Sequence, residues 1–425
     1  MASLRNKVIY QVFPRQYSKT HDFKGVIDDL DRLKKLNIDY LYLLPIHPIG
    51  VKDRKGSVGS PYSIYDYRSI NKDYGGTSEF LRLVSECHKR GIKVIMDIVF
   101  NHTSRDSVLT SEHPEWFLVD ENGRFKNRVG DWTDIVDFSF ECEETYAYLI
   151  NTLKMYIKMG VDGFRCDVAP MIPFDFWKLA IPICKDLNKD VIFIGESCHI
   201  DFIKYLRDNN YEVSSDGELF NLFDVLYDYD IYPYFENYFN NKGTLRRYLE
   251  EVFNQEGRYK KGYCKLRYVE NHDVGSALAL LKTKEKVRNA LALEAFLKGM
   301  FFVYNGIECL VDHRLDLFEI DEINWNDYDL EMEDLIIKLA SLKKDEIFDT
   351  GNFSIDYLND NCALIKYSNV HKEYYGVFNF DYDADIKVSL KDGKYLDVLT
   401  NKFIEVKNSK IKSSKEPLVL LIKKD

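Results

Sequence analysis

Short apolar runs alternate with longer segments of helical apolar spacing through most of this chain, a pattern that predicts strands and helices in turn. Val8-Ile-Tyr-Gln-Val-Phe13 reads as the first strand, and Ile27, Leu30, Leu33 and Leu36 mark one face of a helix over 26–36. Tyr40–Leu44 is the second strand, closed by Pro45, and a helix over Leu81–Arg90 stops at Gly91. Lys93–His102, Val161–Val168, Val191–Glu196 and Lys265–Asp273 read as further strands, with a helix over Thr145–Met159 ended by Gly160. Met300–Tyr304 and a helix near Leu330–Leu342 complete the series. The runs are nearly continuous in apolar residues, which suits strands of a parallel sheet buried on both faces. From about Asp345 the pattern changes to short alternating strands such as Ala363–Tyr367, Tyr374–Phe378 and Leu418–Ile422. Turn residues at Asn359-Asp360-Asn361 and Lys391-Asp392-Gly393 separate them, which predicts a small antiparallel β-sandwich.

Three stretches fall outside this alternation. A long Gly/Ser/Pro-rich loop follows Pro45 and runs through Lys55–Tyr62, and loops this long inside a compact domain are usually functional or disordered. Thr103–Phe140 is polar and irregular, with Asn122-Gly123 as a turn. Tyr227–Tyr238 is acidic and aromatic, and reads as a solvated loop carrying core aromatics.

Candidate chemistry lies at the ends of the strands. Arg165 and Asp167 stand two apart, so both side chains would point to one side, with Cys166 opposite them in the core. Taken alone, the two charges are accounted for by a structural Arg–Asp pair. Yet Glu196, Asp273 and the Asp97–Asn101–His102 segment close other strand signals in the same way. Acidic residues at the C-terminal ends of successive strands are how a β/α barrel builds an active site. At 425 residues the chain exceeds one barrel of ~250 residues, so smaller domains are expected beside it.

The four runs, in this order, resemble the four signature regions of the α-amylase superfamily, glycoside hydrolase family 13, and the similarity extends over nearly the whole chain. The resemblance implies an α/β fold: a (β/α)8 TIM barrel over 1–102 and 141–344, a short inserted domain over 103–140 after the third strand, and a C-terminal antiparallel β-sandwich over 345–425. An insertion this short should leave the cleft open. By the same resemblance Asp167 is the nucleophile and Glu196 the general acid/base, while Asp273 holds sugar hydroxyls. His102 and His272 match two histidines around the attacked sugar, and Tyr62 matches an aromatic platform beneath it. Arg165 should favour ionised Asp167, whereas the apolar run before Glu196 should favour its protonated form, with Asp97 orienting Arg165.

Departures from the family pattern matter too. The Lys-His pair common after the nucleophile is here Pro170-Met171. Asn101 and Asp137 stand where calcium ligands could be, but calcium is not expected and no cofactor is required. Ser63, following Tyr62, speaks against a strict α-glucosidase, and Ser276 stands where an arginine is frequent. Pro45–Gly50 and Arg54-Lys55-Gly56 resemble the maltosyltransferase branch, which the residues around Asp167 and Glu196 do not follow. A net charge of −11 argues against nucleic acid or an anionic membrane as partner, and no stretch approaches the ~20 apolar residues of a membrane span. The stretch Met1–Lys7 lacks a secretory apolar core, and eight unpaired cysteines suit a reducing cytoplasm. The expected activity is hydrolysis of α-1,4 bonds in maltodextrins, with α-glucan oligosaccharides as partner. The alternatives are a 4-α-glucanotransferase and, since all three carboxylates stand, less readily a binding protein that has lost catalysis.

Overall fold

The computed structural model describes residues 3–424. Met1 and Ala2, which open the stretch read as lacking a secretory core, and Asp425 lie outside the described residues. Eight parallel strands close into a barrel in chain order: β1 (Val8–Val12), β2 (Tyr40–Leu43), β3 (Lys93–Ile98), β4 (Gly163–Cys166), β5 (Ile192–Gly195), β6 (Val225–Tyr227), β7 (Lys265–Arg267) and β8 (Met300–Tyr304), which returns to β1. Every residue of these strands is buried except the half-buried Lys93, as expected when helices cover the outside and side chains fill the inside.

The helices follow the predicted periodicity with one exception. The segment 26–36 is two short helices, Phe23–Asp28 and Leu30–Lys35. Asp29 interrupts them with φ −102° and ψ 1°, because its carboxylate is pulled aside by the Tyr17 hydroxyl and the Arg32 guanidinium. The stretch after β6 also departs from expectation. Asp228 and Asp230 are 4% and 7% exposed, so it is not a solvated loop. Lys265 and Arg267 of β7 point at these carboxylates, with Lys265 Nζ 2.8 Å from Asp230 and Arg267 Nη1 2.5 Å from Asp228. Burying such charges is tolerable only because each meets an opposite one.

Between β3 and β4 the chain leaves the barrel, and His102–Ser104 pairs antiparallel with Ile135–Asp137 at the base of that excursion. The C-terminal part is a six-stranded antiparallel sheet starting at Asn352, with strands Cys362–Ser368, Lys372–Asn379 and Leu418–Lys423 at its centre. Its second layer is only a two-stranded ribbon, Ile386–Lys387 with Lys410–Ile411, closed over Leu364, Tyr375, Val377 and Leu420. The opposite face packs on the helix Lys284–Phe296, where the Phe296 and Phe378 rings lie 5.4 Å apart. No helix among the described residues is long and apolar enough to cross a membrane.

Gly299, just before β8, has φ +140°, and a Cβ there would fall 2.2 Å from the Lys265 carbonyl oxygen. Gly299→Ala should therefore lose on the order of 1–3 kcal/mol in urea denaturation. Gly123→Ala, at φ +75° but with nothing within 4 Å, should lose less.

Candidate active site

The register of the barrel brings the predicted residues to one end. Asp97 on β3 pairs with Arg165 on β4, and Cys166 on β4 pairs with Gly195 on β5. Asp167 and Glu196 are the next residues on two neighbouring strands, and the Glu196 N–H still donates to the Cys166 carbonyl at 3.0 Å. The Arg165 side chain, 1% exposed, stands at the centre of this end. Its Nη1 donates to Asp97 at 3.0 and 3.2 Å and to Asp167 Oδ1 at 2.8 Å. Its Nη2 lies 2.8 Å from Glu196 Oε1 but is not aligned for a hydrogen bond, so the directed bond favours Asp167. Asp97 thus orients Arg165, with a further bond from the Tyr42 hydroxyl at 2.7 Å.

Glu196 is fixed from its other oxygen. Val168 N donates to Oε2 at 2.6 Å, and Val168 adopts φ 35°, ψ 48° to aim that N–H. A β-branched residue in the left-handed region is strained, at a cost of order 1–3 kcal/mol, and such strain clusters at functional sites. Burial pushes Asp167 up to about 7 and Glu196 up to about 8, with Arg165 pulling both back. The expectation that Arg165 favours ionised Asp167 therefore holds for the direction of that one contribution, while burial outweighs it. Four carboxylates surround one guanidinium here, since Asp273 Oδ2 is 3.9 Å from Nη2. That excess of negative charge favours retaining a proton, and the directed Arg165 bond to Asp167 leaves Glu196 the better placed to hold it.

Asp273 lies beyond the end of β7, on the loop that the sequence reads as strand, and its side chain is 38% exposed in the cleft. The crowded wall works against its charge, but His272 and then Arg165 hold it down at about 2. Gln11 Nε2 donates to His272 Nδ1 at 3.1 Å, which leaves the ring proton on Nε2, 3.0 Å from Asp273 Oδ2. Tyr62 stacks on the His272 ring at 5.6 Å and donates to Asp97 Oδ2 at 3.0 Å. His102 also lines the cleft, and burial lowers its affinity for a second proton to about 3. Asp167, Glu196, Asp273, Tyr62 and His102 all border one cavity of about 200 Å³, with Arg165 and His272 directly behind.

Several lining residues were not legible as such. Lys55, Trp132, Asp134 and Phe318 border the same cavity. Lys55 Nζ donates to the Asp131 carbonyl at 2.9 Å and lies 3.3 Å from Asp134, so the loop after β2 is tied to the inserted segment. The cleft is therefore bordered by this loop as well as by the short insertion. Tyr229 donates to Asp273 Oδ2 at 3.3 Å, from within the stretch read as solvated. Asn101 and Asp137 do come together, but with the Arg128 guanidinium against both. Pro170 and Met171 are buried, Met171 in an apolar cluster with Val168, Leu206 and Val213. Among the described residues, no group of three or more His, Cys, Asp or Glu is arranged to hold a metal.

Comparison with known proteins gives this arrangement its context. The family profile "Alpha amylase, catalytic domain" matches residues 11–122 and 108–347, and "Bacterial Alpha amylase C-terminal domain" matches 354–420. A crystal structure of an alpha-amylase from Lactobacillus plantarum is 37% identical with a TM-score of 0.94, covering 99% of both chains. A maltogenic alpha-amylase, AmyB, from Thermotoga neapolitana is 32% identical at a TM-score of 0.85, covering 99% of this chain and 100% of that one. An alpha-1,4-glucan:maltose-1-phosphate maltosyltransferase from Picrophilus torridus is 27% identical, over 86% of this chain and 58% of its own. The chain spans about half the length of the curated relatives it matches.

Burial of Glu196 has a measurable signature. Its folded pKa is raised above the unfolded one, so its contribution to stability is present at low pH and is lost as pH rises toward about 8. Glu196→Gln cannot ionise and should escape that loss. The difference in melting temperature, variant minus wild type, should grow between pH 5 and pH 9; a difference independent of pH would contradict the raised pKa.

Proposed function

Since the chain belongs to the alpha-amylase family of glycoside hydrolases, we propose that it is a retaining hydrolase of α-1,4-glucosidic bonds in maltodextrins and short α-glucans. The observation that carries this reading is the shared guanidinium: Arg165 stands 2.8 Å from both Asp167 and Glu196 on adjacent strands. Neighbouring strands lie ~4.8 Å apart, which suits the ~5–5.5 Å carboxyl separation of retaining enzymes better than the ~6.5–9.5 Å of inverting ones.

In this mechanism Asp167 attacks the anomeric carbon while Glu196 transfers its proton to the departing glycosidic oxygen. The carbon–oxygen bond to the leaving sugar breaks as the bond to Asp167 forms. Glu196, now ionised, takes a proton from water, whose oxygen displaces Asp167 with a second inversion. Arg165 binds Asp167 through Oδ1, and Oδ2 has no protein donor among the described contacts, so it is the oxygen free to attack. Asp273 and His102 hold hydroxyls of the attacked sugar, His272 fixes Asp273 from behind, and Tyr62 supplies an apolar face beneath the ring. No cofactor takes part in either displacement. Eight free cysteines, six of them buried, are consistent with work in a reducing cytoplasm.

Asp167→Asn keeps the shape and removes the nucleophile. Its turnover of maltoheptaose, followed by thin-layer chromatography, should fall well beyond the ~10²–10⁴ of a single acid/base contribution, with folding intact. Retention of more than about a tenth of wild-type activity would exclude the assignment, since each tenfold is only ~1.4 kcal/mol of barrier. Products longer than seven glucose units from the wild type would instead favour a 4-α-glucanotransferase.

The stereochemical course tests the geometry itself. Proton NMR in the first minutes of maltodextrin cleavage, before mutarotation, should show the α-anomer appearing first. Initial release of the β-anomer would mean a single inversion, with Asp167 activating water.

A further inference from the structure

Arg128 lies in the inserted segment, is 12% exposed, and has not entered the chemistry above. Its guanidinium faces three oxygens at the junction of the insertion with the barrel. Nη1 donates to Asn101 Oδ1 at 3.0 Å and to Asp137 Oδ2 at 3.3 Å, and Nη2 donates to the Phe138 carbonyl at 3.2 Å. The Arg128 backbone N–H adds a bond to Asp137 Oδ2 at 3.0 Å. Asn101 and Asp137 are fully buried. A calcium ion needs six to eight oxygen ligands, and here the available oxygens are already satisfied by N–H donors of a fixed positive charge. The residues that the family resemblance offers for calcium therefore do not fit it.

The consequence reaches the cleft through one amide. Oxygen and nitrogen of an asparagine side chain are nearly the same size, so packing alone does not choose between its two orientations. A cation on one side does choose, because only Oδ1 can face it. With Oδ1 held by Arg128, Nδ2 must face the other way, where it donates to Asp137 Oδ1 at 3.5 Å and lies 3.2 Å from His102 Nδ1. An amide nitrogen only donates, so Nδ1 must present its lone pair and the imidazole proton must sit on Nε2. His102 is also locked in place by its strand pairing with Asp137 across the ribbon. We propose that Arg128 is the built-in cation of this junction, standing where the family resemblance would put calcium, and that through the Asn101 amide it sets the His102 ring proton on Nε2. Arg128 is on this account a positioning residue.

Only the kinetic part of this inference rests on the proposed role of His102 in sugar binding. The tautomer and the metal response stand apart from it, so a failure of the hydrolase reading would leave them testable. In wild-type protein labelled with 15N-histidine, the His102 resonances should show the Nε2–H tautomer. After EDTA treatment, titration with calcium chloride should give no binding heat and no shift in melting temperature. An Nδ1–H tautomer, or calcium binding with a Kd below a millimolar, would overturn the proposal using wild-type protein alone. Arg128→Ala frees the amide, so the His102 resonances should move toward a mixture of tautomers and kcat on maltoheptaose should fall at least about tenfold. Arg128→Lys, which keeps a cation facing Asn101 Oδ1, should restore the Nε2–H signature. A folded Arg128→Ala protein with the wild-type His102 spectrum and kcat would show that Arg128 merely ties the insertion down.

Discussion

One buried guanidinium underlies the mouth of this barrel. Arg165 is sealed from water and surrounded by Asp97, Asp167 and Glu196, with Asp273 at the rim. Removing a partner from such a group leaves an uncompensated buried charge, at a cost of several kcal/mol. The arginine cannot lose its proton, so it is a fixed charge against which neighbouring carboxylates are ranked. Asp167 receives a directed bond from the guanidinium and Glu196 only proximity, so two chemically similar acids stand in different surroundings.

A second ionic network supports the first from behind. Lys265 and Arg267 are fully buried on β7 and face Asp216, Asp228 and Asp230. Tyr229 lies between the two anchored aspartates after β6, and its hydroxyl reaches Asp273. The loop that carries Asp273 is therefore steadied by a residue whose own backbone is pinned on both sides. Gln11 does the same for His272 from β1. Asp273 and His272 each have a partner that fixes their orientation, and groups held in place beforehand need less reorganisation in a reaction.

The cleft is bounded by chain-distant segments. The Lys55 loop bonds to the insertion at Asp131, while Val58 and Gly59 N–H groups bond to the Phe318 carbonyl at 3.0 and 3.1 Å. Arg15 bridges Gly59 and Leu317 carbonyls from beneath, at 3.0 and 2.9 Å. Ties of this kind convert three loops into one wall, so the shape of the cleft depends on their mutual contacts more than on the length of any one.

Much of this was determined by the sequence alone. Apolar runs covered on both faces specify a parallel sheet locally, and seven of the eight barrel strands carry such a run long enough to read; Val225–Tyr227 is too short. The positions of Asp167, Glu196 and Asp97 at strand ends follow from the same runs, because a strand's end is a local property. What tertiary structure decided was every matter of partner and burial. The acidic stretch after β6 has the composition of a surface loop, and only the arrival of Lys265 and Arg267 some 35 residues later in the chain makes its burial affordable. Asp29 breaks a helix whose apolar spacing is unbroken, because Tyr17 and Arg32 compete for its carboxylate. Nothing local to Lys55 or Arg128 reveals which carboxylate or carbonyl a flexible basic side chain will meet. Electrostatic roles depend on distance in space, and a sequence records distance only along the chain.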